Sequence, residues 1–297
     1  MRLENLIPAE RIKYNEPMRD HTTFRIGGPA DIMVMPESIP EIIGVLEWAR
    51  KQGLTYLVIG EGSNLLVKDG GIRGVVIKLG AGFSRVEFRG TVVEAQAGIK
   101  ISQLAAMAAD RGLSGLEFAE GIPGSLGGAV YMNAGAYGGE ISQVTKEVTV
   151  LSEAGEITVL DKSALEFGYR TSSIQKKGYI VLQAKLVLHP DEPHLIKERM
   201  QELSRQRREK QPLEYPSAGS AFKRPPGRFV GPMIEELGLK GCRVGDAEVS
   251  TKHAGFIINR GRAAARDVLA LVSLIKRRVK EKYGIELETE FLIVGED

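Results

Sequence analysis

The chain has 297 residues, long enough for two or three domains with real cores. Its 40 basic and 38 acidic side chains leave a net charge of +2. That balance is not the electrostatic signature of a nucleic-acid-binding protein, which usually has a concentrated basic surface. Cys242 is the only cysteine, which excludes an intrachain disulfide and CxxC redox or zinc chemistry. Glu4 and Glu10 lie where a signal peptide would need an uninterrupted apolar run, and no stretch has the roughly 20 apolar residues of a membrane span. We therefore expect a soluble, cytoplasmic protein with no membrane or nucleic-acid partner.

The N-terminal part of the chain has one helix pattern followed by two strand patterns. Ser38 and Glu41 have the spacing of a capping box, and the apolar residues that follow repeat with helical periodicity until Gly53. Compact apolar runs at 56–60 and 74–79 are typical of buried strands. We therefore expect a capped helix and two buried strands here.

The middle of the chain has the alternation that is typical of half-buried strands. Residues 85–96 predict a hairpin that turns near Arg89-Gly90, and a short helix follows at 102–111. Two further β segments, 148–161 and 178–188, flank a loop with the sequence YRTSS. These patterns predict a hairpin, a helix and two more strand regions.

A charge-rich segment at 192–212 predicts a helix that ends before Pro212 and separates two units. After it, residues 254–259 predict a strand, and the alternation in 286–295 predicts another, with its glutamates on one face. Between them lies a long helix with one apolar stripe, formed by Val268, Leu271, Val272, Ile275 and Val279. The whole pattern indicates an α+β protein with mixed sheets in three units.

Three segments have the small residues that a nucleotide site needs: HTTFRIGG (21–28), GEGSNLLV (60–67) and GIPGSLGGAVYMNAGAYGG (121–139). None is a standard fingerprint, since Leu65 replaces the third glycine of GxGxxG and no GK[ST] is present; alone, the GxG indicates only a tight turn. The runs Gly62-Ser63-Asn64 and Gly124-Ser125 can nevertheless direct backbone N–H groups at an anion without a cation. An uncharged glycine run also lets a flat ring lie against the main chain, which favours FAD over ATP with its Lys and Mg²⁺.

These segments resemble the FAD half of the UDP-N-acetylenolpyruvoylglucosamine reductase family, which has the vanillyl-alcohol-oxidase (PCMH) type of flavin fold. The resemblance continues in the family's order through FGYRTS (167–172), YPSAGSAFKRP (215–225) and LETEF (287–291). It implies a two-part FAD-binding unit, residues 1–80 and 81–200, and a C-terminal α+β substrate-binding domain, residues 201–297. It also implies the residues that bind FAD: Gly60, Gly62, Ser63, Asn64, Gly121, Pro123, Gly124, Ser125 and Gly128.

The resemblance assigns chemistry to three residues that the pattern alone leaves ordinary. Ser220 reads as a turn residue and lacks the GxSxG of a hydrolase, but the family implies a general acid, helped by the cations Lys223 or Arg224. Arg170, otherwise a solvated loop arginine, would stabilise an enolate. Glu290, otherwise on a polar strand face, would polarise the substrate carboxylate.

Two further residues match positions that the family uses for substrate. Lys210 resembles the family's Lys-x-Pro lysine, which pairs with substrate phosphate, although its spacing to the serine is shorter here. His253 lies where the family contacts the uridine or sugar, and a surface histidine is an equal alternative. The long insertion with a covering tyrosine that some members have is missing here, so the chain resembles the shorter type. The histidines form no metal-ligand cluster, so we expect no metal.

The resemblance implies that NADPH reduces bound FAD and leaves, after which the enolpyruvyl ether of a UDP-amino sugar is reduced in ping-pong order. One alternative is an FAD-dependent sugar or alcohol oxidase of the same fold, which would use oxygen and for which His21 is the only plausible flavin tether. A second alternative is a non-catalytic nucleotide-sugar-binding protein without flavin colour. The sequence leaves open the oligomeric state, with a monomer as one alternative, and the preference for NADPH over NADH.

Overall fold

The structure is a computed structural model that describes residues 2–297, and its chain divides into two units that are each built from several segments. The first unit comprises the chain up to Lys13, Ile32–Glu61 and Gly74–Arg207; the second comprises Tyr14–Asp31, Gly62–Arg73 and Arg208–Asp297. Helices and sheets occur in both, which confirms the α+β class. The division into 1–80, 81–200 and 201–297 stays a prediction.

Within the described residues the α-helices are α1 (Ile39–Lys51), α2 (Ile101–Ala109), α3 (Leu126–Tyr131), α4 (Ile141–Val144), α5 (Ser173–Lys177), α6 (Pro193–Lys210), α7 (Val230–Glu236) and α8 (Ala265–Tyr283). The strands up to the middle of the chain are β1 (Ile12–Pro17), β2 (Pro29–Val34), β3 (Tyr56–Ile59), β4 (Leu65–Val67), β5 (Ile72–Lys78), β6 (Val86–Arg89), β7 (Val92–Gln96), β8 (Leu113–Ser114), β9 (Gly135–Ala136) and β10 (Gly139–Glu140). The remaining strands are β11 (Thr145–Leu151), β12 (Ile157–Asp161), β13 (Ile180–Val187), β14 (His189–Pro190), β15 (Ser217–Ser220), β16 (Arg243–Val244), β17 (Ala247–Val249), β18 (Phe256–Asn259) and β19 (Leu292–Val294).

The first unit contains an antiparallel sheet in the order β12-β11-β13-β7-β6, with α3 packed on β13 and β7. The predicted hairpin is confirmed, because Arg89 pairs with Val92 across a turn at Gly90. A four-stranded sheet has the order β1-β2-β5-β3, in which β3 and β5 run parallel. The two buried runs predicted at 56–60 and 74–79 therefore lie side by side.

The start of α1 has only half of the predicted capping box. Ser38 Oγ accepts the N–H of Glu41 at 3.4 Å, as expected for an N-cap. The Glu41 carboxylate instead accepts the N–H of Glu37 at 2.7 Å and two bonds from the Arg11 guanidinium, of 2.8 and 2.7 Å. Hydrogen bonding by Arg11 holds the pKa of Glu41 below its ordinary value. The helix therefore begins at the predicted N-cap, but Glu41 binds Arg11 and Glu37 where a capping box would have it accept the N–H of Ser38.

The second unit is built around α8 and an antiparallel sheet in the order β15-β18-β17-β16. The predicted apolar stripe of α8 is buried and joins a core that includes Phe24 and Phe291, whose rings meet edge to face with centres 6.2 Å apart. The short strand β19 runs parallel to β4. Within the described part of the chain, no helix is both long and apolar enough to cross a membrane.

The predicted strand over 286–295 is wrong for its first half. Leu287 and Phe291 are buried, as the alternation indicates, but regular pairing begins only at β19. Before it, a single bridge joins Thr289 to Phe222. The alternation reports which side chains face the core, whereas a strand also needs a partner segment alongside it.

Candidate functional site

Two glycine-rich segments of the first unit meet at Gly60 and Ser125. Gly60 follows β3, and a Cβ atom there would overlap the Ser125 hydroxyl, so only glycine allows this approach. Ser125 is buried and caps α3, since its Oγ accepts the N–H of Gly128 at 3.3 Å. The carbonyl of Gly124 accepts the N–H of Ile101 at 2.9 Å, which fixes the segment against α2. These contacts set the backbone of both predicted FAD loops in this unit.

The predicted FAD residues include backbone N–H groups that donate to no acceptor within the described part of the chain. Across residues 2–297, the amide N–H groups of Ser63, Asn64 and Ser125 have no acceptor. Uncommitted N–H groups on turns of small residues are what a diphosphate needs. The other predicted FAD residues on the 121–139 segment are partly or fully exposed: Gly121, Pro123, Gly124 and Gly128. The residues present therefore fit FAD, whereas no group of three or more His, Cys, Asp or Glu among the described residues could hold a metal ion.

Arg170 lies at the tip of a tight turn in the first unit. The turn is closed by Gly168 and Thr171, which exchange backbone hydrogen bonds of 3.1 and 3.3 Å. Arg170 has a φ of +55°, in the left-handed region that few non-glycine residues adopt, and its guanidinium carbon lies 5.3 Å from the centre of the Tyr169 ring. Such a conformation persists only where the surrounding structure imposes it, and it is frequent at functional sites.

Buried side chains hold the Arg170 turn against the glycine-rich segment. Ser172 is fully buried, and its Oγ donates to the carbonyl of Tyr131 at 2.8 Å. Gln175 Nε2 donates to the same carbonyl at 2.7 Å and to that of Arg170 at 3.3 Å. Tyr131 belongs to the segment 121–139, so the first unit connects its predicted flavin segment to its predicted catalytic arginine.

Ser220 and Glu290 lie on neighbouring segments of the second unit. Ser220 ends β15, and the residues after it pair with the segment that carries Glu290. The N–H of Glu290 donates to the carbonyl of Ala221 at 3.0 Å, and the N–H of Lys223 donates to that of Glu288 at 2.9 Å. Ser220 and Glu290 are both half-buried. The structure thus brings two predicted catalytic residues onto hydrogen-bonded main-chain segments.

Asn64 connects a predicted FAD loop to Glu290 within the second unit. Its Nδ2 donates to the carbonyl of Glu290 at 3.1 Å, and its own carbonyl accepts the N–H of Leu292 at 2.9 Å. Gly62 has a φ of +62°, and a Cβ atom there would overlap the main-chain carbonyl of His21. The HTTFRIGG motif therefore packs directly on the GEGS loop, and position 62 requires glycine.

The two cations that follow Ser220 have identifiable partners. Lys223 Nζ lies 3.0 Å from Glu288 Oε2, in an ion pair exposed to solvent. The guanidinium carbon of Arg224 lies 4.4 Å from the centre of the Phe229 ring, a cation–π contact. Neither of these contacts involves Ser220, so the help that a cation gives Ser220 stays a prediction.

The predicted substrate residues His253 and Lys210 differ in their surroundings. His253 Nδ1 accepts the N–H of Gly255 at 3.1 Å, so the neutral ring carries its proton on Nε2. Burial, with a smaller contribution from the positive charge of Lys240, lowers the pKa of His253. The carbonyl of Gly255 accepts the N–H of Ala221 at 2.8 Å, which places the His253 loop beside the Ser220 segment. Lys210 is the exposed last residue of α6.

One buried charged residue, Arg207, lies outside all the motifs that the sequence offers. Only 6% of its surface is exposed, and its Nε and Nη2 have no hydrogen-bond partner in the described chain. Burial lowers the pKa of its guanidinium. The signal was present, because Arg207 lies on the same face of α6 as the buried Ile196 and Met200, where the helical period calls for an apolar side chain.

Comparison with known proteins decides the family. A family model for the C-terminal domain of UDP-N-acetylenolpyruvoylglucosamine reductase matches residues 211–294, and a model for an FAD binding domain matches residues 30–161. The UDP-N-acetylenolpyruvoylglucosamine reductase of Syntrophomonas wolfei is 54% identical over 293 residues, which cover 99% of this chain and 98% of the relative. This chain belongs to the UDP-N-acetylenolpyruvoylglucosamine reductase family. It carries an FAD-binding domain and is an FAD-dependent oxidoreductase.

Solved structures agree with the predicted flavin fold. The UDP-N-acetylenolpyruvylglucosamine reductase of Thermus caldophilus superposes with a TM-score of 0.81 at 41% identity, covering 93% of this chain and 97% of that one. The BBE-like 1 protein of Physcomitrella patens has a TM-score of 0.50 at 16% identity over 64% of this chain and 45% of that one, a likeness of fold alone. The predicted combination of a flavin fold with a C-terminal reductase domain is confirmed, and the oxidase alternative is not favoured.

Proposed function

We propose that this protein reduces UDP-N-acetylglucosamine enolpyruvate to UDP-N-acetylmuramate, a step of peptidoglycan precursor synthesis, with NADPH as the hydride donor. The observation that carries the proposal is the hydrogen-bonded pairing of the Ser220 segment with the Glu290 segment. The chain that contains this pairing matches a UDP-N-acetylenolpyruvoylglucosamine reductase over 99% of its length. A serine and a carboxyl group from distant parts of the sequence are thereby held in one unit.

The chain's own groups can bind the cofactor. FAD, when bound, supplies the redox chemistry by taking a hydride from NADPH and passing it to the vinyl carbon of the substrate. In our proposal the unpaired N–H groups of Ser63, Asn64 and Ser125 bind the FAD diphosphate. Gly60 and Gly62 are required because each lets its loop lie against a neighbouring segment that a side chain would displace.

Three side chains would act on the substrate. The planar guanidinium of Arg170 would stabilise the enolate oxygens, which carry more negative charge in the transition state than in the ground state. Glu290 would polarise the enolpyruvyl carboxylate, and Ser220 would donate the proton to C2. We assign substrate binding to four residues with cationic or imidazole side chains: Lys210, Lys223, Arg224 and His253.

We further propose that the enzyme works in the cytoplasm as a monomer on a small-molecule substrate, without a nucleic-acid or membrane partner. The balanced composition, with a net charge of +2, supports the absence of a nucleic-acid partner. Light scattering of the purified protein would give its mass in solution, and a dimer would overturn the monomer proposal.

An anaerobic two-step experiment tests the proposed reaction. NADPH should bleach the flavin absorbance of the purified protein, and the enolpyruvyl substrate should then restore it while one UDP-N-acetylmuramate forms per FAD. Oxygen added to a parallel sample tests the oxidase alternative. If only oxygen restores the absorbance, or if the protein is colourless, the proposed function is wrong.

A further inference from the structure

Arg207 presents an unusual electrostatic problem in the first unit. The residue is only 6% exposed to solvent, yet its Nε–H and Nη2–H have no acceptor among the described residues. A buried charge without hydrogen bonds is unfavourable, because it has lost the water that solvated it. Three other cations of α6, Lys197, Arg199 and Arg205, have carboxylate partners, and Arg205 pairs with Glu202 at 2.7 Å on the exposed face. The buried guanidinium of Arg207 is therefore incomplete without a further acceptor.

The residues around Arg207 belong to the predicted flavin segment. A Cβ atom on Gly121 would lie 3.0 Å from Arg207 Cδ, so the glycine lets the arginine side chain lie against the main chain. The guanidinium carbon lies 5.6 Å from the centre of the Tyr137 ring, at the other end of the same 121–139 segment. Burial lowers the pKa of Arg207 although Tyr137 and Glu120 favour the charged guanidinium.

We propose that Arg207 donates Nε–H and Nη2–H to bound FAD and supplies the cation that the glycine-rich segment lacks. This inference rests on the proposed function, since it assumes that FAD occupies this segment. Two adjacent donors in one plane suit two oxygen or nitrogen acceptors. FAD offers such acceptors at its diphosphate and at the N1–C2=O edge of its ring, which becomes negative on reduction. The shared chemistry is a bidentate contact to an anionic edge of the cofactor.

Two measurements on the holoenzyme of Arg207→Met test the proposal and separate the two acceptors. Losing hydrogen bonds from a charged group should weaken binding roughly 10- to 100-fold. For a diphosphate contact, the Kd of oxidised FAD, measured from free-flavin fluorescence on dilution, rises by that factor. If Arg207 instead contacts the N1–C2=O edge of the ring, only the binding of reduced FAD is weakened, and the two-electron reduction potential becomes about 30–60 mV more negative. Unchanged Kd and unchanged potential would overturn the proposal.

Controls distinguish cofactor binding from a role in stability. Arg205→Met removes an exposed arginine from the same helix and should leave Kd and potential at wild-type values. Arg207→Lys keeps the charge but loses the planar fork, so its effect should lie between wild type and Arg207→Met. With FAD removed, Arg207→Met should melt at or above the wild-type temperature, because an unsatisfied buried charge has gone. A lower melting temperature would instead assign Arg207 to the core and contradict the proposal.

The wild-type protein keeps this inference separate from the proposed function. If wild type binds FAD and passes the two-step reaction while Arg207→Met behaves identically, the Arg207 assignment alone fails. If wild type does not bind FAD, the proposed function itself fails.

Discussion

The first unit holds its Arg170 turn against the glycine-rich segment through side chains, whereas the second unit joins its Ser220 and Glu290 segments through main-chain hydrogen bonds, with one further bond from the Asn64 side chain. The Arg170 turn depends on the buried Ser172 hydroxyl and on Gln175, which bind the Tyr131 carbonyl. In contrast, the Ser220 and Glu290 segments are joined by backbone N–H and carbonyl groups. Apart from Asn64, whose side chain bonds the Glu290 carbonyl, the Ser220 and Glu290 segments should therefore tolerate changes of side chain that leave the backbone in place.

The two glycines of the GEG motif repeat this difference. A Cβ atom on Gly60, in the first unit, would overlap the side chain of Ser125, whereas one on Gly62, in the second unit, would overlap the backbone carbonyl of His21. A second substitution can remove a side-chain overlap but not a backbone one. The comparison teaches that similar motifs can have different mutational tolerance depending on what lies opposite.

The largest effect is expected for Ser220→Ala. Loss of a positioned general acid lowers the rate of substrate reduction by about 10²–10⁴-fold, while the backbone bonds that hold the segment are unchanged. Single-turnover reoxidation by the enolpyruvyl substrate measures this rate. Ser220→Cys should recover part of it, and Ser217→Ala on the same strand is the matched control. A normal rate in Ser220→Ala would remove Ser220 from the chemistry.

Next in size is the contrast between Gly62→Ala and Gly60→Ala. We expect each to destabilise the fold by about 1–3 kcal/mol through overpacking, with added backbone strain at position 62. Ser125→Gly should restore the stability lost in Gly60→Ala, because it removes the overlapping side chain. The recovery should fall short by about 1 kcal/mol, since the N-cap of α3 is lost as well. Thermal unfolding measures both pairs. Equal rescue of Gly62→Ala by Ser125→Gly would break the comparison.

A smaller effect on rate is expected for Arg170→Lys. The positive charge stays but the planar pair of donors is lost, so reoxidation by substrate should slow by roughly 10- to 100-fold. Arg170→Gly tests the backbone separately, because glycine adopts the observed positive φ without strain. It should keep the melting temperature of wild type and lose more activity than Arg170→Lys. A folded Arg170→Gly protein with normal turnover would contradict the assigned role.

The smallest effect is expected for the pH dependence of stability that His253 gives, whose ring nitrogen Nδ1 accepts the N–H of Gly255 in the second unit. Its pKa in the folded protein is lowered by burial, so folding favours the neutral ring. Stability from this group is therefore full above its unfolded pKa of about 6.5 and is lost as the pH falls through the folded pKa. Thermal midpoints between pH 5 and 8 should fall less steeply on the acid side for His253→Gln than for wild type. Parallel curves would show that His253 does not contribute.

Local elements of the fold could be predicted because neighbouring residues determine them. The start of α1 at Ser38, the turn at Gly90 and the stripe of α8 all follow from spacing within one or two turns of chain. The strand over 286–291 was wrong because alternation cannot reveal that only Thr289 finds a bridge partner.

The candidate site was less accessible, because its contacts join distant segments. The hydrogen bond from Asn64 to Glu290 spans 226 positions, and no local pattern encodes it. The resemblance to the family predicted Ser220 and Glu290 as site residues, whereas the hydrogen bonds between their two segments are seen only in the structure. Arg207 was missed because a charged residue in a charge-rich helix looks solvated until burial is known.

Stopped-flow absorbance of both half-reactions in Arg170→Lys and Ser220→Ala most directly tests whether Arg170 and Ser220 act in the reduction of the substrate. Flavin reduction by NADPH requires neither an enolate nor a proton at substrate carbon, so both variants should be reduced within about twofold of the wild-type rate, while reoxidation by the enolpyruvyl substrate slows as stated above. Equal slowing of reduction and reoxidation in either variant would contradict a role specific to substrate reduction.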